Sequence, residues 1–286
     1  MRIGWLAVSL LLSPVPGWSQ DQAAAPESAM RFGAPWQAEI YSNAEPAAYT
    51  EAERAAKPYW ELAHRCGGSL IADGWVVTAA HCIDEAKVEK GYRARLGSRD
   101  LANDPGMTFV IDRMVRHLDY DALHHLNDIA LVHFAADEAT GEGGGATITP
   151  IALNGSGDDD RAVAPGDPLS ASGWGRTSAG PDGRNSAGLL QVDIAAVDCG
   201  AVAAYRGQTT DGMICAGAPG KDTCQDDSGG PLIRTLGEPV LVGIVSWGDG
   251  CAKSDRPGVY VRIDRDHYLD WVNRAMASDP SVSEMR

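Results

Sequence analysis

The chain has 286 residues, with 39 acidic against 24 basic side chains and a formal net charge of −15. That balance excludes a nucleic-acid-binding role, which needs a basic face, and favours basic partners through weak, salt-sensitive steering. Hydrophobic residues make up 44% and charged residues 22% of the chain, ordinary for a globular protein long enough for one large β domain or two smaller ones.

Met1-Arg2, the apolar run Ile3 to Leu12, and Ser13-Pro14-Val15-Pro16-Gly17-Trp18-Ser19 read as a secretory signal peptide over residues 1–19. The apolar run is too short to span a membrane, and no later segment is long and apolar enough. Export predicts a secreted or periplasmic location. With six cysteines, it also predicts three disulfides, whose pairing spacing alone cannot choose. Zinc is the competing use of cysteine, but no Cys-x-x-Cys pair is present.

Residues 20–32, containing Ala, Asp, Glu and a proline, read as a flexible lead-in. Pro35 to Tyr41 reads as a first strand. Between Ser42 and His64 lies an Ala- and Glu-rich insertion in which Thr50 to Lys57 predicts a short helix with Thr50 as N-cap. Cys66-Gly67-Gly68-Ser69-Leu70-Ile71 opens a strand, and Trp75 to Thr78 forms another that ends in Ala79-Ala80-His81-Cys82. Asp100, Asn103 and Asp104 lie in a polar loop without a calcium-ligand pattern. Strands follow over Val110–Val115 and Ile129–Phe134, the second introduced by Asn127-Asp128. Ala135 to Pro150, with Gly141 to Gly145, reads as a connector. A second set of strands starts near Ile151 and includes Ala171 to Gly175, Leu189 to Val197, Met213 to Gly217, Val242 to Gly248 and Pro257 to Val261. Asp222 and Cys224-Gln225-Asp226-Asp227-Ser228-Gly229-Gly230-Pro231 lie among them. Arg265 to Met276 predicts a helix with Tyr268, Trp271 and Val272 on its inner face.

Three of these segments carry chemistry when taken together. A serine hydroxyl is a poor nucleophile unless a base removes its proton, and the base must itself be oriented. Ser228, His81 and Asp128 are residue types suited to those three roles, each at the end of a strand or in a turn of small residues. Glycines around Ser228 let backbone N–H groups turn toward a reacting carbonyl.

These segments resemble the trypsin-like, chymotrypsin-fold serine proteases almost letter for letter: Cys66 to Ile71, Thr78 to Cys82, Asn127 to Leu131 and Asp227 to Pro231. The order His81, Asp128, Ser228 is the order of that family. The resemblance covers roughly residues 33–276. It implies an all-β fold of two six-stranded antiparallel Greek-key barrels, about 33–150 and 151–264, with the active site between them. A C-terminal helix over about 265–276 and a tail over 277–286 would follow. It implies His81, Asp128 and Ser228 as the catalytic residues, and the N–H groups of Asp226 and Ser228 as the oxyanion hole. It implies disulfides Cys66–Cys82, Cys199–Cys215 and Cys224–Cys251. Asp222 falls where the family has the floor of its primary pocket, with Ser246, Trp247 and Gly248 on one wall and Gly258 on the other. Cleavage of protein or peptide substrates after Arg or Lys follows, with protein inhibitors as further partners and no cofactor or metal.

The chain departs from the family twice. Asp226 stands where the family has glycine in the oxyanion loop. The family's new N-terminus, Ile-Val-Gly-Gly after a basic residue, is missing, although its amine normally pairs with the aspartate at Asp227. The expectations are that a signal-peptidase terminus or a side-chain cation substitutes, or that the protein rests in a zymogen-like state. A catalytically impaired, protease-shaped binding protein is the alternative function that these departures raise.

Overall fold

In the computed structural model, which describes residues 33–104, 106–135, 139–141, 147–156, 161–180, 182–264, 266–278 and 284–285, runs of β-branched and aromatic residues become strands. The signal peptide, the lead-in and part of the connector expected over 135–150 lie outside the described residues. The first sheet is built from β1 (Gln37–Ser42), β2 (His64–Ala72), β3 (Trp75–Thr78), β4 (Tyr92–Leu96), β5 (Met107–Val110), β6 (Arg113–His117) and β7 (Ala130–His133), in the order β6-β7-β3-β2-β1-β4-β5. Only Ile111 and Asp112 separate β5 from β6, so these two are one bent strand whose arms border opposite ends of the sheet. Counted so, the barrel has six strands.

The second barrel comprises β8 (Ala152–Leu153), β9 (Pro168–Gly173), β10 (Leu190–Val197), β11 (Met213–Gly217), β12 (Pro231–Arg234), β13 (Val240–Trp247) and β14 (Gly258–Arg262). Its order is β12-β9-β10-β11-β14-β13, and β12 also pairs with β13, closing six strands; β8 adds to β13 in parallel. Closure leaves few free edges for unwanted pairing. Glu284–Met285 of the expected tail forms a two-residue strand, β15, parallel to Arg116–His117.

Ile40, Val76, Val77, Leu96, Val115, Ile129 and Leu131 are buried in the core around the first barrel. Leu169, Ala171, Leu232, Val242 and Tyr260 fill the second. The expected C-terminal helix starts four residues later than its sequence suggests, at Leu269, and runs to Ala277. Before it, the Asp264 carboxylate accepts from the Asp266 and His267 N–H groups, and Tyr268 adopts a left-handed backbone with φ 63°. That turn excludes a continuous helix from 265. Leu269, Trp271, Val272 and Ala275 form its buried face.

The 42–64 insertion folds into α1 (Glu51–Ala56) and α2 (Tyr59–Ala63). Thr50 caps α1 through a reciprocal capping box with Glu53. Glu61 of α2 is buried, and burial alone would raise its carboxyl pKa. The Arg184 guanidinium, gripping it at 2.6–2.9 Å, and Lys57 at 3.1 Å hold it below the ordinary value instead. Glu61 therefore ties the insertion to the segment after β9. Glu61→Gln is expected to leave global thermal unfolding nearly unchanged while speeding amide hydrogen exchange across 51–63 and 183–186. Unaltered protection in both segments would show that this ion pair does not hold the insertion.

Candidate active site

β3 ends in a small-residue 3-10 turn, Ala80–Cys82, which carries His81 to the rim between the barrels. Asp128 sits at the entry to β7 and is wholly buried. Its Oδ1 accepts from the His81 backbone N–H at 2.9 Å, and its Oδ2 lies 2.8 Å from His81 Nδ1. The Ser246 hydroxyl donates to the same Oδ2 at 2.6 Å. Burial would raise the Asp128 pKa, but the His81 ring, its charge and these further donors outweigh burial and lower it. Since an ionised carboxylate only accepts, Nδ1 carries a proton.

The loop bearing Ser228 is pinned against the first barrel. Gly67 N–H donates to the Ser228 carbonyl at 2.7 Å, and Cys82 Sγ lies 3.6 Å from that carbonyl. Gly229 takes φ 80°, and a Cβ there would collide with Thr78 Oγ1 and the Gly67 carbonyl. A Cβ on Gly67 would fall 2.8 Å from Gly230 Cα. The barrels thus meet backbone to backbone at glycines, and this close approach places the His81 and Ser228 loops side by side. The three disulfides form: Cys66–Cys82 beside His81, Cys224–Cys251 across the base of the serine loop, and Cys199–Cys215 farther away.

Asp226 has φ 73°, a region where glycine is at ease and aspartate is among the better-tolerated alternatives. Its side chain faces away from the loop interior to meet Arg176, Oδ2 to Nε 3.2 Å. Asp227 points inward. Its Oδ1 accepts from Gly175 N–H at 2.8 Å and its Oδ2 from Cys224 N–H at 2.9 Å. Burial nevertheless pushes its carboxyl up to about 6.

Asp222 lies beneath Gly258, where an added Cβ would come within 2.7 Å of Asp222 Oδ1. Burial raises the Asp222 carboxyl to about 7, against N–H donors from Thr223, Ala252 and Gly258. A Cβ on Gly248 would lie 3.8 Å from Gly258 Cα, so the two glycines are neighbours above Asp222. Trp247 stacks on His125 at 5.8 Å between ring centroids and meets Tyr205 edge-on at 4.9 Å. Ser246, which precedes Trp247 and Gly248 in β13, directs its hydroxyl to Asp128. No local motif marks Gly175, Arg176, Glu39 or His64 as belonging near this loop. Their positions depend on contacts far along the chain, such as the 162-residue separation between His64 and Asp226. Cys66, His81 and Cys82 cluster at metal-ligand spacing, but both sulfurs are consumed by a disulfide. Among the described residues no helix is long and apolar enough to cross a membrane.

The arrangement sets an imidazole oriented by a carboxylate next to a serine-bearing loop, the parts that activation of a serine hydroxyl requires. A family model described as Trypsin matches residues 25–272. Trypsin of Squalus acanthias is 40% identical over 221 residues, covering 75% of this chain and 87% of that one. Anionic trypsin of Canis lupus familiaris is 37% identical over 222 residues, covering 76% and 81%. Kallikrein-8 of Homo sapiens is 38% identical over 224 residues, covering 74% and 77%. Among solved structures, neuropsin, a serine protease expressed in the limbic system of mouse brain, superposes with a TM-score of 0.65 at 29% identity, covering 90% of this chain and 98% of that one.

The tight fit of Asp227 leads to a structural test. A methyl group at Gly175 would lie 2.5 Å from both Asp227 carboxylate oxygens. Gly175→Ala is expected to cost about 1–3 kcal/mol of stability, seen as a lower midpoint in thermal denaturation; an unchanged midpoint would mean that the loop adapts freely.

Proposed function

The chain belongs to the trypsin family and is a serine endopeptidase, and we propose that it is exported and cleaves peptide bonds after Arg or Lys with His81, Asp128 and Ser228. The observation that carries this reading is the double grip of buried Asp128 on His81, through both backbone and ring, beside the loop of Ser228.

In this reading His81 Nε2 takes the Ser228 hydroxyl proton as Oγ attacks the scissile carbonyl. Asp128 holds the ring in the required tautomer and stabilises the imidazolium that forms. The N–H groups of Asp226 and Ser228 receive the oxyanion. His81 then gives its proton to the departing amine and leaves an acyl-enzyme. Water, deprotonated by the same nitrogen, attacks the ester and frees Ser228.

Asp222 supports the choice of substrate. A carboxylate beneath Gly258 whose charged form is disfavoured by desolvation calls for a long cationic side chain to compensate it. Gly248, Gly258 and Trp247 would line the pocket that receives it. Pairing of the Asp226 carboxylate with Arg176 supports an oxyanion loop that works without glycine at this position. It weakens one of the two grounds for an impaired binding protein, the other being the missing activation N-terminus. Asp227 is the activation-related residue in this reading, since its carboxylate braces the loop immediately before Ser228.

A serine-directed phosphonate is expected to label the wild-type protein and not Ser228→Ala; equal labelling, or none under any processing condition, would overturn the enzymatic assignment of Ser228. Peptides with Arg or Lys before the scissile bond are expected to be cleaved at least ~10²-fold faster than those with Phe or Leu, a ratio that losing a buried charge partner would erase. The reverse preference would overturn the role of Asp222. Because the empty-site Asp222 carboxyl sits at about 7, it is neutral at lower pH and ionises as pH rises. KM for an Arg substrate should therefore fall as pH is raised through about 7, and a flat KM would contradict an ionic pocket floor.

A further inference from the structure

Behind the oxyanion loop, four charged or polar groups from distant parts of the chain form one buried line. Glu39, on β1, is fully buried. Its Oε2 lies 2.9 Å from Arg95 Nη1, its cross-strand partner on β4. Its Oε1 lies 2.8 Å from His64 Nδ1, and His64 Nε2 lies 2.9 Å from the Asp226 backbone carbonyl. Residue His64 is itself buried at 4% exposure.

The donor count fixes the state of this imidazole. A carboxylate paired with arginine only accepts hydrogen bonds, and so does a carbonyl oxygen. Both ring nitrogens of His64 face acceptors, so both must donate. A neutral ring could satisfy one and would set a lone pair against the other.

We propose that His64 is a positioning residue for the endopeptidase reaction: a buried imidazolium, held by Glu39, that fixes the Asp226 carbonyl and so sets the two oxyanion N–H donors on either side of it. The inference rests on the reading of Asp226 and Ser228 as those donors.

The physical case has three parts. The Asp226–Asp227 peptide lies between the proposed donors, so anchoring its carbonyl limits rotation of the loop. Asp226 is held at φ 73°, a conformation that a non-glycine residue keeps only when its surroundings impose it. The charge also lies near Asp227, whose ionised form it favours. This is positive charge delivered to the loop from inside the first barrel, and Asp227 needs it because burial disfavours its carboxylate.

The groups facing His64 are few. From β1 comes Glu39, backed by Arg95 of β4. Asp226 and Asp227 face it from the serine loop, with Arg176 beyond Asp226. Arg65 binds the His64 carbonyl at 2.7 Å, and the Trp174 ring stands edge-on at 6.4 Å. Burial would lower the His64 pKa, but Glu39 and Asp226 outweigh it and raise it. For a group raised in the folded state, the charged form persists at low pH and is lost as pH climbs through the folded value. Loop order should therefore fail on the alkaline side.

Two measurements test this. First, ¹⁵N spectra of histidine-labelled Ser228→Ala protein at pH 7 should show both His64 ring nitrogens protonated. A bare ring nitrogen would overturn the proposal without touching the reading of Ser228, because this variant needs no activity. Second, Glu39→Gln keeps the shape but removes the counter-charge. It should lower kcat at pH 8 by roughly ten-fold or more, a fraction of the ~10²–10³ that losing a whole oxyanion donor costs. KM should change little, and the alkaline fall in kcat should move to lower pH. Glu39→Asp should recover part of kcat. A Glu39→Gln enzyme that loses only thermal stability, with the wild-type kcat and pH profile, would overturn the proposal.

Discussion

The contact on which the site depends is the meeting of two backbones: Gly67 N–H against the Ser228 carbonyl, with Gly229 lodged beneath Thr78. No side chain separates the barrels there, so a base carried by one and a serine carried by the other can share a cleft. Cys66 flanks Gly67 and is bonded to Cys82, the neighbour of His81. One short stretch of β2 therefore touches the serine loop, the histidine turn and the barrel core at once. Substitutions in this seam would alter the spacing between the barrels and hence every angle at the reacting atoms.

An acidic chain must decide where its carboxylates go, and this one buries several around a single loop. Each is accommodated differently. Asp128 is ionised because His81 and Ser246 donate to it. Glu61 is held by Arg184 and Lys57, and Glu39 by Arg95 and His64. Asp227 has backbone N–H donors, and the elevated value of its carboxyl shows that these do not fully offset burial. Asp222 is the least compensated, with N–H donors and no cationic partner among its stabilising neighbours. The pattern separates the carboxylates paired with side-chain donors, Asp128, Glu61 and Glu39, from Asp227 and Asp222, which have backbone N–H donors and raised carboxyl values.

The three segments proposed as catalytic stand out in the sequence because each is local: a few contiguous residues fix a turn, its small neighbours and the side chain it exposes. The barrels were legible for a similar reason, since strand-forming runs and turn residues alternate at short spacing. What escaped reading is set by long-range contact. The contact between the Ser246 hydroxyl and Asp128, 118 residues away, has no local signature. Tyr268 keeps helical spacing with Trp271 and Val272, whereas Asp264 draws the chain into a turn, so the helix begins only at Leu269. Nothing near Glu39 or His64 hints that they meet, because their encounter needs β1 and β2 paired out of step at Ile40 and Tyr41.

The tie between Glu61 and Arg184, with Arg176 held by Asp226 alongside, has a thermodynamic consequence. In many clefts a loop on the rim wanders until a ligand stills it, and that lost freedom weakens binding. Here the segment after β9 is anchored at two arginines when the chain folds. Its conformational entropy is surrendered once, in folding, and not again at each encounter. A ligand resting on that rim would bind with little entropic opposition from the protein, so its affinity would be governed by fit and charge.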